Sequence, residues 1–335
     1  MASQNGPADV LKTILKIAVT VGILAFVVQK LGWQNILTTV ERADWRWFAA
    51  GLVVFVVSSV LGVVQWVILL GNRGIKVPFG KAFVLYFVGI LFNNFMLGMV
   101  AGDAVKVALL KNAAGKGSGR IGLAATFLDR VAGLWAMMAF AVIGSIILFH
   151  HGASAISGNI ITASIALTAT FLAFCFLCVL IVVKPVQDVT MSVFARLPIP
   201  AVHKERITSI IGELFLEASD HHILLPVILL SILIQTMRIA VHVLCAASLG
   251  LLTMANFQYF FVFVPMIAIL MLIPLPFGVR EVMAGGLFTM AGFKSDAIVM
   301  QFLVSLIGII TSAFSGILFI VNHVKIDRKE TEDLL

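Results

Sequence analysis

FGKAFVLYFVGILFNNFMLGMVAGDAVKVALL, residues 79–110, decides the fold. The stretch is apolar enough for a membrane interior. Its middle nevertheless carries Asn93-Asn94 and then Gly102-Asp103-Ala104-Val105-Lys106. A charge at membrane depth costs about 2.5 kcal/mol or more. Backbone breaks there only where it lines a cavity or is buried in protein. Each half of the stretch falls short of the roughly 20 residues a crossing needs. The pattern predicts helix–break–helix, a hairpin that enters and leaves the bilayer by one face. Residues 258–290 repeat it: an apolar run is interrupted by Pro274 and Pro276, and Gly278-Val279-Arg280-Glu281 follows.

Around these breaks the chain is 335 residues long, 61% hydrophobic and only 12% charged, with a mean hydropathy of +1.11. Soluble domains are about half apolar, so the fold class is an all-α polytopic membrane protein. The net charge of +7 is scattered over short loops without interleaved aromatics, which argues against a nucleic-acid partner. Cys175, Cys178 and Cys245 lie in apolar helical sequence and read as small packing residues, not as a disulfide framework. Lys12 and Lys16 precede an apolar run with no small-residue cleavage site after it, so the N-terminus reads as an uncleaved first transmembrane helix.

Six segments have spanning length: Ile14–Leu31, Trp47–Leu70, Ile121–Phe149, Ile160–Val183, Ile223–Leu249 and Ala297–Val321. With the two re-entrant helical hairpins they form a single integral membrane domain over residues 1–335. Lys and Arg accumulate on cytoplasmic loops. Arg73, Lys76 and Lys81 before the first hairpin, and Lys111, Lys116 and Arg120 after it, put both its flanks inside. The end of the next span, His150-His151, has no Lys or Arg and reads as outside. Followed to the end, both termini are cytoplasmic and the hairpins enter from opposite faces, which resembles an inverted-topology repeat. The expected location is the plasma (inner) membrane, with a cytoplasmic tail over residues 322–335. Residues 184–222 form a cytoplasmic connection. In it Ile207, Ile210, Ile211, Leu214, Phe215 and Ala218 share one face of an amphipathic helix, suited to the membrane surface or to a partner.

Several groups carry chemistry. Asp103 and Lys106 share a helix face. If a helix starts at Gly102, its positive end suits an anion. Arg280 offers a planar fork for phosphate or carboxylate. In the functional reading Lys106 and Arg280 hold an anionic headgroup, with Asn93, Asn94, Asp103 and Glu281 completing the site. The alternative is that these charges anchor the hairpins. Asp129 and Arg130 are adjacent, so each needs a different partner: Arg130 faces a cavity and Asp129 meets a basic group, or both serve packing. Gln235, Arg238 and His242 recur at i, i+3 and i+7, a polar stripe that should face the bundle interior. His242 is a proton relay or a hydrogen-bonded packing residue. Neighbouring histidines point apart, so His150-His151 and His221-His222 suggest no metal. No P-loop, G-x-S-x-G, H-E-x-x-H or Rossmann fingerprint occurs. No cofactor is expected, and transport would not be powered by nucleotide hydrolysis in this chain.

Phe92-Asn93-Asn94-Phe95, then Ala101-Gly102-Asp103-Ala104-Val105-Lys106, then Phe127-Leu128-Asp129-Arg130-Val131-Ala132-Gly133-Leu134, together with Pro276-Phe277-Gly278-Val279-Arg280-Glu281, resemble the flippase-like membrane domain of lysylphosphatidylglycerol synthases. The resemblance runs from about residue 14 to residue 321. The sequence departs from the pattern in three places. Ala101 stands for the first glycine of a Gly-Gly-Asp motif, residues 96–100 lack a proline, and Phe277 stands for the first glycine of the second break. The resemblance implies movement of anionic or lipid-linked amphiphiles between leaflets. It also implies a free-standing member, because the synthases' aminoacyl transfer belongs to a soluble C-terminal domain and only residues 322–335 follow Val321.

The expected function is translocation of an anionic phospholipid or a lipid-linked glycan. Two other classes stand beside it: a non-transporting subunit that docks to a membrane enzyme partner, and an integral membrane enzyme using Asp103, Asp129 or Glu281 as acid or base. Nothing in the sequence pairs a nucleophile with a base, which weighs against the enzyme.

Overall fold

The computed structural model describes residues 38, 41–95, 99–115, 117–150, 158–196, 201–270, 278–293 and 296–321. The expected first span at Ile14–Leu31, the tail 322–335, and Pro274, Pro276 and Phe277 lie outside them. The Asn94 side chain is likewise outside the described set.

Eleven helices and no strand occur among the described residues: α1 (Trp45–Asn72), α2 (Phe79–Phe95), α3 (Met99–Ala114), α4 (Ser118–His150), α5 (Gly158–Val182), α6 (Lys184–Arg196), α7 (Ala201–Ala218), α8 (His221–Ser248), α9 (Tyr259–Leu270), α10 (Val279–Met290) and α11 (Asp296–Val321). Four of them, α1, α4, α8 and α11, are long and apolar enough to cross a membrane, and this is an integral membrane protein. Both interrupted stretches fold as helix pairs, α2–α3 and α9–α10. The connection holds two helices, α6 and α7, where the sequence predicts one. Pro198 and Pro200 fall between them in sequence, and proline disfavours helix in the residue before it.

The halves α1–α4 and α8–α11 repeat. One and the same interval along the chain separates Trp45 from His221, which open α1 and α8, and Asn72 from Ser248, which close them. The caps repeat too. Asp44 accepts from the Arg46 N–H at 3.0 Å, and Asp220 accepts from the His222 N–H at 3.1 Å. Each cap satisfies a donor that the helix start leaves unpaired. The breaks keep the same offset, with Gly102 answering to Gly278.

The packing is reciprocal. Helices α1 and α8 lie against each other; α2 packs on α11, and α9, its counterpart, packs on α4. Exchanging the halves leaves the whole pattern of packed pairs among these eight helices unchanged. Helices α1 and α8 run antiparallel: the Asp44 N–H donates to the Ser248 carbonyl at 2.8 Å, and Ser231 early in α8 reaches Gln65 late in α1. An exchange that reverses helix direction is the geometry of an inverted repeat.

Two apolar cores divide along the same line. One surrounds the first hairpin, with Trp66, Phe87 and Leu110 fully buried. The other surrounds the second hairpin and is aromatic, with Phe288 5.0–5.2 Å from the ring centres of Phe260, Phe263 and Phe293. Such edge-to-face and tilted pairs each add about 0.5–1.5 kcal/mol beyond area burial.

Candidate functional site

The first break places its charges by a close backbone approach. Helix α3 starts at Met99, one turn earlier than Gly102 suggests. Gly102 therefore lies inside its first turn, where a Cβ would collide with the Gly89 carbonyl and the Asn93 side chain. Only glycine fits. Asn93 accepts the Gly102 N–H through Oδ1 at 3.0 Å, so this polar residue locks the hairpin.

One residue on, Asp103 faces α4. The Arg130 guanidinium grips it with two hydrogen bonds, Nε to Oδ2 and Nη2 to Oδ1, both 2.8 Å. This fork–fork pairing is the strong form of a charge-assisted bond. On the other side, Lys106 Nζ stands 3.6 Å from Asp103 Oδ1. Lys106 is only 1% exposed. Its ammonium sits over the Trp66 and Tyr86 rings, 4.9 and 4.7 Å from their centres. It has no hydrogen-bond partner, so aromatic faces stand where water would be. Trp66 is fixed in turn by donating from Nε1 to Thr126 Oγ1 at 3.1 Å.

Asp129 is buried and meets no cation directly. Its Oδ1 accepts from Gln65 Nε2 at 2.9 Å, and Gln65 Oε1 accepts from Ser231 Oγ at 3.2 Å. The sequence expectation of a basic partner is thereby corrected: an amide links Asp129 on α4 to α1 and α8. The expectation that Arg130 faces a cavity holds, since it lines one of about 310 Å³ with Asp129, Gln65, Tyr86, Gln235 and Arg238. Phe127, half exposed, marks its rim.

The α8 stripe reaches the same place. Gln235 is 6% exposed and its Oε1 has no partner; Arg238 Nε is also buried without one. Both residues line the cavity. His242, two turns beyond Gln235, does not. Its Nδ1 lies 3.0 Å from the Arg238 carbonyl. A carbonyl only accepts, so Nδ1 carries the proton and Nε2 is a buried acceptor without a partner.

The second break is built otherwise. Gly278 caps α10 at φ +94°, a conformation open to glycine. Its N–H donates to Glu281 Oε2 at 2.6 Å. Glu281 Oε1 accepts from Arg280 Nε at 2.7 Å and from Ser305 Oγ of α11 at 2.5 Å. Glu281 is 1% exposed and fully engaged. Arg280 is held by its neighbour and does not line the cavity. Thus Asp103, Lys106, Asp129, Arg130 and Arg238 gather at one site, while Arg280 and Glu281 form a separate network. Trp66, Tyr86, Ser231 and Ser305 escaped sequence reasoning. Tyr86 is one of two tyrosines in the chain and sits two helical turns before Asn93, which was a signal open to use.

Residues 13–318 match the model of the family described as Lysylphosphatidylglycerol synthase TM region. The chain belongs to this family. It is also 29% identical, over 122 residues, to the UPF0104 membrane protein PH1989 of Pyrococcus horikoshii, and the match covers 36% of each chain. No solved structure matches. Family membership covers both hairpins and all four spanning helices of the repeat, so the cavity lies wholly within the shared region.

Proposed function

We propose that this protein moves the headgroup of an anionic phospholipid or lipid-linked glycan between leaflets and is a transporter, not an enzyme. The observation that carries the reading is Arg238: a guanidinium whose buried Nε has no partner, on the wall of a mostly apolar cavity that also carries Gln65, Asp129, Arg130 and Gln235. A charged headgroup cannot cross about 30 Å of hydrocarbon unaided. A cavity that replaces its hydration lowers that barrier while the acyl chains stay in lipid. The inverted repeat supports the reading, because exchanging the conformations of two equivalent halves presents one site to each leaflet in turn. Movement runs down a gradient or is coupled to an ion.

The basic loops around Arg73, Lys76 and Lys111 support a multi-pass arrangement in the plasma (inner) membrane with both termini cytoplasmic. The partner-subunit reading leaned on α7. That helix packs on α4, and Arg73 at the end of α1 grips Glu213 with Nη2 at 2.6 Å, so part of α7 already faces its own chain. In the enzyme reading Asp103 and Asp129 would act as acid or base; both are occupied, by Arg130 and Gln65.

Reconstituted with a headgroup-labelled phosphatidylglycerol or polyprenyl-phosphate sugar, the protein should speed loss of leaflet asymmetry without ATP. Arg238→Gln should slow it about tenfold or more, the scale of one lost charge-assisted bond, with the melting temperature kept. Equal rates for Arg238→Gln and wild type would remove the cavity from the mechanism.

A further inference from the structure

We infer that α6 is a membrane-surface helix, lying in the boundary between headgroups and acyl chains of an anionic leaflet, on the side where α1 and α5 end. The inference is independent of the translocation reading, since no residue of α6 lines the cavity.

Place decides first. Helix α5 carries no charged residue. Its side chains Leu172, Phe176 and Leu177 are exposed, and in an integral membrane protein such a face meets lipid. Only Val183, itself exposed, separates the end of α5 at Val182 from the start of α6 at Lys184. Helix α6 therefore begins where the chain leaves the bilayer. At 13 residues it is about 20 Å long, short of the roughly 20 residues a crossing needs. The connection lies on the side where α1 ends, because Arg73 there holds Glu213 of α7.

Roll decides second. Gln187 donates from Nε2 to Ser219 Oγ, just past the end of α7, at 3.0 Å. At about 100° per residue, Val189 stands roughly 200° round the helix from Gln187, and Val193, one turn on, shares its face. These valines are 61% and 57% exposed. The helix thus turns a polar side chain to the protein and an apolar row outward, the reverse of a helix packed on a soluble core. The row continues the lipid-facing side of α5, so acyl chains cover it. Helix α7 instead turns Leu214 and Ala218 to the core around the first hairpin. The surface role that periodicity assigns to α7 passes to α6.

Charge decides third. Arg196 follows Val189 by two turns in the same row and is exposed, as is Lys184 at the other end. These two cations stand against one acid, Asp188. A long basic side chain lays its stem along apolar surface and lifts its head to the phosphates. Negative charge in the leaflet then adds to the attraction.

The test reads depth in the full-length protein. Cys175, Cys178 and Cys245 are replaced by alanine, and spin labels are placed singly through Val189→Cys, Val193→Cys and Asp188→Cys. The protein is reconstituted in phosphatidylcholine vesicles with and without phosphatidylglycerol. Collisions are measured with oxygen, which concentrates in lipid, and with a water-soluble nickel chelate. Labels at 189 and 193 should favour oxygen, and the label at 188 the chelate. Arg196→Glu should lower the oxygen-to-nickel ratio at 193 about twofold or more in vesicles with phosphatidylglycerol, and not in phosphatidylcholine alone. Arg196→Lys should keep the ratio. Free access of the chelate to both valine positions would put α6 in water and overturn the inference. Shielding from both probes would overturn it in favour of a second copy or another protein on this face. An Arg196→Glu effect that is absent, or equal in the two vesicles, would remove anionic lipid from the recognition.

Discussion

At the first break Gly102 is followed by an acid, Asp103, whose partner Arg130 comes from the next spanning helix. At the second, Gly278 is followed by Arg280 and Glu281, which hold each other, with Ser305 of the next spanning helix closing the network. The scaffold is the same: a glycine at the break, an acid just after it, and a polar contact to the following helix. Ser305 even follows Asp129 by the same interval that relates α1 to α8. What differs is the surplus. The second network is closed by its own members, in the half whose apolar core is built of phenylalanines. The first has extra polar groups, Lys106 and Asp129, and it faces the α8 stripe, so donors and acceptors remain over. Duplication explains the shared geometry; on the proposed reading the unshared polar residues mark where a ligand fits, so that one half is a strut and the other a site.

The largest effect should come from breaking the first network. Asp103→Ala leaves Arg130 and Lys106 without their carboxylate, and removing one member of a buried pair costs about 3 kcal/mol or more. Accumulation in membranes should fall sharply. The double variant Asp103→Asn with Arg130→Gln removes both charges and should recover much of the loss, measured as melting temperature in detergent. A double variant no better than the single would mean that the pair is not the unit.

Next comes the strut. Glu281→Ala strands the donors of Gly278, Arg280 and Ser305, a cost of about 2 kcal/mol in stability. Lipid selectivity of the folded fraction should be unchanged. A changed headgroup preference would move the second hairpin into the site and erase the contrast between halves.

A smaller effect is expected for Arg280→Ala, about 1 kcal/mol, because Glu281 keeps its other two donors. The Arg280→Lys variant should behave similarly. The sequence alone favours Arg280 as an anion clamp, which requires alanine and lysine variants to fold well and both to lose function. Transport assays on purified, monodisperse protein separate the two.

Much of the fold was legible. Apolar run length gave the four spanning helices α1, α4, α8 and α11, and the polar interruptions after Asn93 and before Gly278 gave the helix pairs α2–α3 and α9–α10, because the cost of charge and open backbone in lipid leaves few alternatives. The repeat showed faintly as layout. Its sharper signature is the pair of capping aspartates, Asp44 and Asp220, set apart by the interval that relates the two halves; capping constrains one residue among many, so the trace survives while general identity fades. The site was half legible. The stripe of Gln235 and Arg238 pointed inward as i, i+3 spacing demands. Which cation meets which acid was not readable: the Asp103–Arg130 pair spans 27 positions and two helices, and sequence spacing governs faces of one helix only. The same gap made Arg280 look available to a ligand, when an adjacent carboxylate takes its Nε despite the rule that neighbours on a helix diverge.

The smallest predicted effect belongs to the contact that has no counterpart in the other half. Arg73, just past the end of α1, reaches Glu213 of α7 through Nε at 3.1 Å and Nη2 at 2.6 Å. The matching position, just past the end of α8, is Leu249. Both side chains of the pair are partly exposed, 25% and 19%. Solvent screens such a pair, so it contributes about 0.5 kcal/mol. Arg73→Gln should barely move the melting temperature. Yet it ties one half, and not the other, to α7, which also packs on α4. If the two halves exchange conformations during transport, the tie weighs on one state only. A bias of about 0.5 kcal/mol shifts that balance roughly twofold. Arg73→Gln should therefore change inward and outward rates unequally by about that factor, read from liposomes sorted by protein orientation, and raised salt should reproduce it in the wild type. An equal change in both directions, or a shift in melting temperature of many degrees, would make Arg73–Glu213 an ordinary brace and leave the asymmetry of the halves confined to the cavity.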